Sequence, residues 1–458
     1  MKVIICGAGQ VGFNIARYLA DEAADVTVID QSAELIQKIS SALDVSGVVG
    51  FASHPDVLER AGAPDADMLI AVTYADEVNM VACQICHSLF EVPTKIARIR
   101  DQSYLAPIWS DLYSEANMPI DAIISPEMEV SRAIERRLMI PGAFDAITLV
   151  DGRVTLVGVH IRPETPIINT PLRQLTELFP DLHVYVVAIK RGSETITPSP
   201  RDELQPGDDA YFLCDTTHLE RAMASFGCDE KEARRVVVIG GGNIGLELAR
   251  LLEEKHRHVQ LKVVEADKER AEQVARALHR SLVIHGDALE QEILTEANVA
   301  TAETTIAVSN DDKVNILTAL LAKQAGAQRT IVLINSSSYG QLLPRLGIDT
   351  VVSPRAITVS SILQHVRRGR IRAVHSLSEE VGEIIEAEVL ETSELAGRTI
   401  AEAGLPAGVI IGALVRDKTF VLPRGQTKIR AGDLIVLFSR PSSVKKVERL
   451  FSVKLEFF

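Results

Sequence analysis

Two glycine-rich turns are the part of this sequence whose spacing predicts chemistry. Each follows a short apolar run and carries three glycines in the pattern Gly-x-Gly-x-x-Gly. Between a strand and a helix, the first glycine permits a tight turn, the second lets the backbone approach a pyrophosphate, and the third lets the helix pack closely. The two turns consist of Gly7, Ala8, Gly9, Gln10, Val11 and Gly12, and of Gly240, Gly241, Gly242, Asn243, Ile244 and Gly245. We predict that each turn holds a dinucleotide pyrophosphate at the positive end of a helix.

An acidic residue ends the apolar segment that follows each turn. Asp30 comes 23 residues after Gly7, and Glu265 comes 25 residues after Gly240. A carboxylate here accepts hydrogen bonds from ribose hydroxyls and repels a 2′-phosphate, so we expect NAD(H) to be preferred to NADP(H). The sequence leaves open a Rossmann fold that keeps these glycines only for packing.

Further candidate residues end the apolar segments at 69–73 and 305–309. Because the carboxyl ends of parallel strands form the edge where ligands bind, these residues are included in the predicted sites. They are Thr73 and Tyr74 in the first copy, and Ser309 and Asn310 in the second.

The two predicted sites differ in charge. Arg98 and Arg100 end the segment 96–100, whereas the matching segment 331–335 contains no arginine. We therefore expect the first site to pair with phosphate; a solvated strand end or an interface salt bridge is the alternative. Conversely, Asp287 is predicted to contact an adenosine, where the first copy has Phe51.

The glycine turns belong to a larger internal repeat. Matching segments recur 225 to 236 positions apart along the whole chain, so a module of about 230 residues is used twice. In each module, short apolar strands alternate with helices, as in a doubly wound parallel sheet, and a strand-rich segment follows. The predicted fold class is therefore α/β, with two tandem modules that each join a Rossmann sheet to a small α+β lobe.

The repeat also predicts the domain limits. We place Rossmann lobes at 1–124 and 234–352, crossover helices at 125–143 and 353–370, and α+β lobes at 144–228 and 371–458. The crossover helices carry enough apolar residues to dock elsewhere, although a simple interlobe linker is equally consistent with the sequence.

Composition narrows the class of function. The chain has 62 acidic and 48 basic residues and a net charge of −14, which disfavours general nucleic-acid binding. No apolar run approaches the roughly 20 residues of a membrane span, and the N-terminus runs directly into a predicted strand. We expect a cytosolic protein that reaches a membrane only through a partner.

The cysteines and histidines do not predict a metal or haem site. Cys83, Cys86 and His87 match a haem-attachment string, but the segment is typical of a helix with buried thiols. His256 and His258 are predicted to lie at an exposed helix end, and no clustered set has metal-ligand spacing.

No residue pattern predicts catalysis. The sequence has no Tyr-x-x-x-Lys and no lysine of the Walker type after a glycine loop. We expect nucleotide binding without turnover, with no catalytic and no metal residues; the sequence leaves open a divalent ion held by His, Asp and Glu side chains at lobe interfaces. The alternative is a soluble NAD-dependent oxidoreductase with a duplicated Rossmann domain.

The chain resembles the TrkA family, the peripheral regulatory subunits of bacterial Trk potassium uptake systems. The resemblance lies in residues 7–12, 67–73, 79–84 and 96–100, and in 240–245 and 307–312, and it spans essentially the whole chain. Tyr74 and Phe51 depart from the small or polar residues usual at these positions, which puts the nucleotide fit in doubt. A regulator of potassium efflux or of another transporter that shares the same modules is a further reading.

The resemblance implies that each half is an RCK module with a nucleotide-binding N-lobe and a TrkA-C lobe. It implies NAD(H) as ligand and ATP or ADP as effector. It also implies a homotetramer, with eight RCK modules in a ring beneath a TrkH/TrkG-type membrane potassium channel subunit. The protein would then be cytoplasmic and peripheral on the cytoplasmic face of the inner membrane.

Overall fold

A computed structural model of the chain describes residues 1–21, 24–178, 182–339, 342–343, 346–366, 371–378 and 381–451. The second predicted crossover helix and the second predicted α+β lobe therefore lie partly outside the described residues. The chain forms two compact units, one of residues 1–129 with 354–366 and one of residues 130–353 with 367–458.

The first unit contains a six-stranded parallel sheet. Its strands are β1 (Lys2–Cys6), β2 (Asp25–Asp30), β3 (Ser46–Val49), β4 (Met68–Ala71), β5 (Thr94–Arg98) and β6 (Ala122–Ile124). Its helices are α1 (Gln10–Asp21), α2 (Ala33–Ala42), α3 (Pro55–Arg60) and α4 (Asp76–Phe90). The strand order is β3-β2-β1-β4-β5-β6. Apolar clusters cover both faces of the sheet, which is why its central strands read as continuous apolar runs.

The second unit repeats this sheet. Its strands are β12 (Arg235–Ile239), β13 (Gln260–Glu265), β14 (Leu282–His285), β15 (Thr304–Ala307), β16 (Arg329–Leu333) and β17 (Thr350–Val352). Its helices are α8 (Asn243–Lys255), α9 (Lys268–Ala277), α10 (Gln291–Glu296) and α11 (Asp312–Ala325). The order β14-β13-β12-β15-β16-β17 is that of the first sheet, so the predicted duplication of a Rossmann sheet is confirmed.

The second unit also contains two antiparallel five-stranded sheets. The first has β7 (Ala143–Leu149), β8 (Val154–His160), β9 (Val184–Arg191), β10 (Glu194–Ile196) and β11 (Asp209–Asp215), with α6 (Leu172–Leu178) and α7 (Leu219–Ser225). The second has β18 (Ile371–Ser378), β19 (Gly382–Glu388), β20 (Val409–Arg416), β21 (Thr419–Val421) and β22 (Leu434–Ser439), with α13 (Val444–Leu450). The predicted small α+β lobes are confirmed.

The two antiparallel sheets share an apolar core. Leu156 and Leu213 of the first lobe belong to one buried cluster with Val436 of the second. At its margin the amide of Val150 donates a hydrogen bond to Glu386 Oε2 at 2.9 Å. The two α+β lobes are thus packed against each other rather than separate.

The crossover helices α5 (Pro126–Met139) and α12 (Pro354–Val366) dock on the Rossmann lobe of the opposite module. On α5, the Ser131 hydroxyl donates to the Ile244 carbonyl at 3.1 Å, at the start of α8. On α12, Ile362 is fully buried in the same cluster as Ile15 and Leu19 of α1. Each crossover helix thus packs on another element of the same chain, while its docking on another subunit and its role as a simple interlobe linker stay predictions. The limits predicted for the six domains stay predictions.

None of the helices within the described ranges combines the length and the hydropathy that crossing a bilayer requires.

Candidate nucleotide-binding sites

The two candidate sites lie at the carboxyl edges of the Rossmann sheets. In both sheets the order of connection reverses beside the first strand, between β1 and β4 and between β12 and β15. At such a point the loops diverge and leave a crevice that binds ligands. The first glycine turn joins β1 to α1, and the second joins β12 to α8, so both turns line a crevice.

The three glycines of each turn have three different environments. Gly7 has a φ of +110° and Gly240 a φ of +103°, which the tight turn requires. A Cβ at Gly12 would lie 1.8 Å from the Gly7 carbonyl oxygen, so the helix and turn touch there. A Cβ at Gly9 would meet nothing within 4 Å, and the same holds for Gly242. The space beside the middle glycine of each turn is therefore unobstructed by the protein.

The two acids predicted to bind ribose lie against the glycine turns. Asp30 Oδ2 accepts a hydrogen bond from the Ala8 amide at 2.8 Å, and its Oδ1 accepts from the Ser32 amide at 2.8 Å. Glu265 Oε2 accepts from the Gly241 amide at 2.5 Å in the same way. Because each ionised carboxylate oxygen offers two lone pairs, both acids keep capacity for ribose hydroxyls.

We predict that Asp30→Ala weakens NADH binding at the first site by roughly tenfold or more, because a ribose hydroxyl loses its charged acceptor. Isothermal titration calorimetry measures the effect, and Glu265→Ala provides the matched change at the second site. An unchanged NADH affinity at the first site would show that the ribose assignment is wrong.

A buried asparagine holds the neighbouring strand end in place at each site. Asn79 Oδ1 accepts from the Thr73 amide at 2.9 Å, and its Nδ2 donates to the Arg98 carbonyl at 2.8 Å. In the second copy Asn315 Oδ1 accepts from the Ser309 amide at 2.8 Å. Both asparagines are fully buried. We had not assigned them a role from the sequence, although both occur at matching positions of the repeat.

The two arginines of the first site have different surroundings. Arg98 ends β5, and its Nε is buried with no hydrogen-bond partner among the described residues. Burial, followed by the charge of Arg100, lowers the pKa of Arg98. Arg100 instead contacts Glu127, with 3.3 Å between Nε and Oε1, and its Cζ lies 5.1 Å from the centre of the Tyr74 ring. Arg98 therefore has an unpaired donor, whereas Arg100 makes a salt bridge to the start of the crossover helix α5.

We expect Arg100→Ala to weaken ATP binding by roughly tenfold and NADH binding less, because ATP carries the larger phosphate charge. The matched variant Glu127→Gln releases the guanidinium and is expected to retain ATP binding. Calorimetric titration of both variants tests whether Arg100 contributes to nucleotide binding. If Arg100→Ala binds ATP and NADH as the unmodified chain does, the role of the arginine is structural.

Comparison with known proteins agrees with this geometry. The TrkA-N domain model matches residues 3–126 and 236–354, and the TrkA-C domain model matches residues 156–227 and 384–452. A "Trk system potassium uptake protein TrkA" from Azorhizobium caulinodans is 54% identical over 458 residues and covers 100% of both chains. The protein of the same name from Halomonas elongata is 40% identical, also over 100% of both chains.

The chain belongs to the TrkA family.

Solved structures show that its fold is that of RCK domains. A crystal structure of the GsuK RCK domain is 18% identical, with a TM-score of 0.61 over 98% of this chain and 94% of that chain. A structure of the GsuK channel bound to NAD is also 18% identical, with a TM-score of 0.60 over 98% of this chain and 78% of that one.

The second site of this TrkA-family chain carries an arginine from a different element. Arg270, in the first turn of α9, donates from Nε to the Gly241 carbonyl at 2.7 Å and contacts Asn243 Oδ1 at 3.4 Å. In the repeat its counterpart is the apolar Leu35. The second site therefore has a cation beside its glycine turn that comparison of the strand ends did not reveal.

Asp287, the predicted adenosine contact, is exposed, and its Oδ1 accepts a hydrogen bond from the Leu289 amide at 2.9 Å.

Two aromatic side chains near the first site are exposed. Tyr74 is 86% exposed and Phe51 is 53% exposed. Tyr74 contacts the Arg100 guanidinium through its ring face. The nucleotide contacts assigned to the glycine turns, to the acids and to these neighbouring residues stay predictions.

The thiols on helix α4 are buried, as the sequence predicts. Cys83 and Cys86 are buried on α4, close to the buried Cys6 of β1. Burial raises the pKa of the Cys86 thiol to about 12, so at neutral pH the thiol is protonated and unreactive. The prediction of buried thiols on a helix is confirmed.

The prediction for the histidines after α8 is wrong at one position. His256 is mostly buried, and its Nε2 lies 2.8 Å from Glu135 Oε1 of α5. It is covered because α5 docks on α8; the sequence indicated that this helix could dock, but not on which element. Arg257 and His258 are exposed as expected.

Proposed function

We propose that this chain is the nucleotide-sensing regulatory subunit of a Trk-type potassium uptake system. It binds NAD(H), and ATP or ADP as effector, in its Rossmann clefts, and it gates a membrane potassium channel subunit of the TrkH/TrkG type. The observation that carries the proposal is the pair of glycine turns that each join a strand to a helix, one per module, with free space beside Gly9 and Gly242. The names of its full-length relatives support the potassium uptake role.

At the first site, residues of this chain would hold each part of the nucleotide. The amides at the start of α1 and the positive helix end would hold the pyrophosphate. Asp30 would accept the ribose hydroxyls, and the unpaired Nε of Arg98 would donate to phosphate.

The assembly we propose is a homotetramer whose eight RCK modules form a ring on the cytoplasmic face of the inner membrane, attached through its channel partner. The two tandem modules of each chain support a ring of eight modules, because four such chains supply that number.

Gating follows from ligand linkage. A nucleotide shifts the ring toward the conformation that binds it more tightly, and by no more than its differential affinity. The helix that begins at each glycine turn connects the nucleotide site to a crossover helix. Helix α1 packs on α12 through Ile15 and Leu19, and α8 packs on α5. A shift of either turn on binding therefore presses on a crossover helix that leads to an α+β lobe.

The test is calorimetric titration of the full chain with NADH, NAD, NADPH and ATP, followed by potassium flux in proteoliposomes containing the channel subunit. We expect saturable binding of NADH and ATP, poor binding of NADPH, and nucleotide-dependent flux. Absence of binding by all four nucleotides would overturn the sensor proposal. Flux that ignores bound nucleotide would overturn gating, and NADH consumption by the isolated chain with a carbonyl substrate would favour the oxidoreductase alternative.

A further inference from the structure

We propose a site for a divalent transition metal of the zinc class in the first α+β lobe, formed by His183, Asp215 and His218. One ligand atom from each of the three side chains can be chosen so that all lie within 4.8 Å of one another. The sequence predicts no metal residues, because it contains no clustered set with metal-ligand spacing, and His183 and Asp215 lie 32 positions apart. The antiparallel pairing of two strands brings them together.

The local fold brings the three side chains close together. His183 immediately precedes β9 and Asp215 ends β11, and the Asp215 amide donates to the His183 carbonyl at 3.4 Å. Asp215 Oδ1 caps the 3₁₀ turn Thr216–His218 by accepting from the Thr217 amide at 2.9 Å. That turn carries His218 back toward β9. Asp215 Oδ2 lies 3.9 Å from His183 Nδ1.

Both histidines have a ring nitrogen that the protein does not satisfy. Nδ1 of His183 and Nδ1 of His218 are buried, and neither has a hydrogen-bond partner among the described residues. Buried polar atoms without a partner are uncommon in folded proteins and call for an explanation. The 3.9 Å separation of His183 Nδ1 from the carboxylate is too long for a hydrogen bond. A cation between the three groups satisfies both nitrogens.

The ligand set selects the class of metal. Two imidazoles and one carboxylate suit Zn²⁺ and its neighbours Co²⁺ and Ni²⁺, whereas Mg²⁺ and Ca²⁺ prefer oxygen ligands alone. Zn²⁺ binds nitrogen at about 2.0–2.1 Å, so the three ligand atoms, which lie within 4.8 Å of one another, must move closer together to bind it. All three are partly exposed, which leaves room for water as the fourth ligand.

The site also touches the second α+β lobe. The His183 ring stacks on Phe420, with 5.5 Å between ring centres and 17° between planes. A metal that fixes His183 therefore also holds one of the side chains through which the two lobes touch. Because the metal binds the folded lobe pair, it also raises its stability.

The test is titration of the metal-free full chain with ZnCl₂ by calorimetry and with CoCl₂ by visible absorption, alongside thermal unfolding. We expect one metal per chain, d–d bands of His-bound Co²⁺, and a higher unfolding temperature with Zn²⁺. His218→Gln removes one ligand, and Asp215→Asn removes the carboxylate charge but keeps an acceptor for the Thr217 amide. Each variant should weaken Zn²⁺ binding by at least about tenfold.

His160→Gln is the matched control, because His160 is a half-exposed histidine of the same lobe whose Nδ1 contacts a single carboxylate, Asp209. It should bind Zn²⁺ like the unmodified chain. The proposal is overturned if the unmodified chain binds no Zn²⁺ or Co²⁺, or if His218→Gln and Asp215→Asn both bind as it does. A cooperative unfolding transition in the presence of EDTA establishes that each variant is folded. If one of the two variants is not folded, the Zn²⁺ affinity of the other tests the proposal.

Discussion

The variant Gly9→Asp is expected to lose nucleotide binding at the first site while its Rossmann lobe stays folded. A Cβ at this position meets nothing within 4 Å, so the new side chain causes no overlap within the protein. Its carboxylate occupies the space proposed for the pyrophosphate. Two like charges at about 4 Å repel by about 4 kcal/mol at an effective dielectric constant near 20, which corresponds to an affinity loss of roughly 10³-fold.

The repeat supplies the control for this prediction. Gly242 is equally unobstructed, so Gly242→Asp should abolish binding at the second site alone. Titration with NADH and ATP should therefore show each single variant losing one class of site, and the double variant losing both. If Gly9→Asp and the unmodified chain bind with the same stoichiometry and affinity, the glycine turn does not hold the ligand.

A different result is expected at Gly12, three residues further along the same turn. A Cβ there would lie 1.8 Å from the Gly7 carbonyl oxygen, which is a backbone atom without a side-chain rotation to relieve the overlap. We expect Gly12→Ala to lower the free energy of unfolding of the first unit by roughly 3 kcal/mol or more, because overpacking forces the backbone to shift. Nucleotide binding at the first site should be lost with it.

Denaturant unfolding monitored by circular dichroism measures this loss. Gly9→Ala adds the same methyl group to free space, so its unfolding midpoint should match that of the unmodified chain. Gly245→Ala should repeat the Gly12→Ala effect in the second Rossmann lobe, since its Cβ would also lie 1.8 Å from a carbonyl oxygen. An unchanged midpoint for Gly12→Ala would contradict the close contact of helix and turn.

Features that depend on local patterns could be predicted from the sequence. The apolar runs, the glycine spacing and the repeat predicted two Rossmann sheets with α+β lobes, because strand burial and turn conformation are encoded within a few residues. The position of Asp30 against the glycine turn was predictable for the same reason, since a strand of known length ends beside the turn. Burial of Cys83 and Cys86 followed from helical spacing.

Which distant side chains meet depends on how the elements pack in three dimensions. Arg270 reaches the second glycine turn from α9, and Glu127 reaches Arg100 from α5. The crossover helices dock on the opposite modules, which buries His256. His183 joins Asp215 only through the pairing of β9 with β11. These contacts depend on strand order, register and helix docking, which are set by the packing of the whole chain and leave no periodic signal in a single sequence.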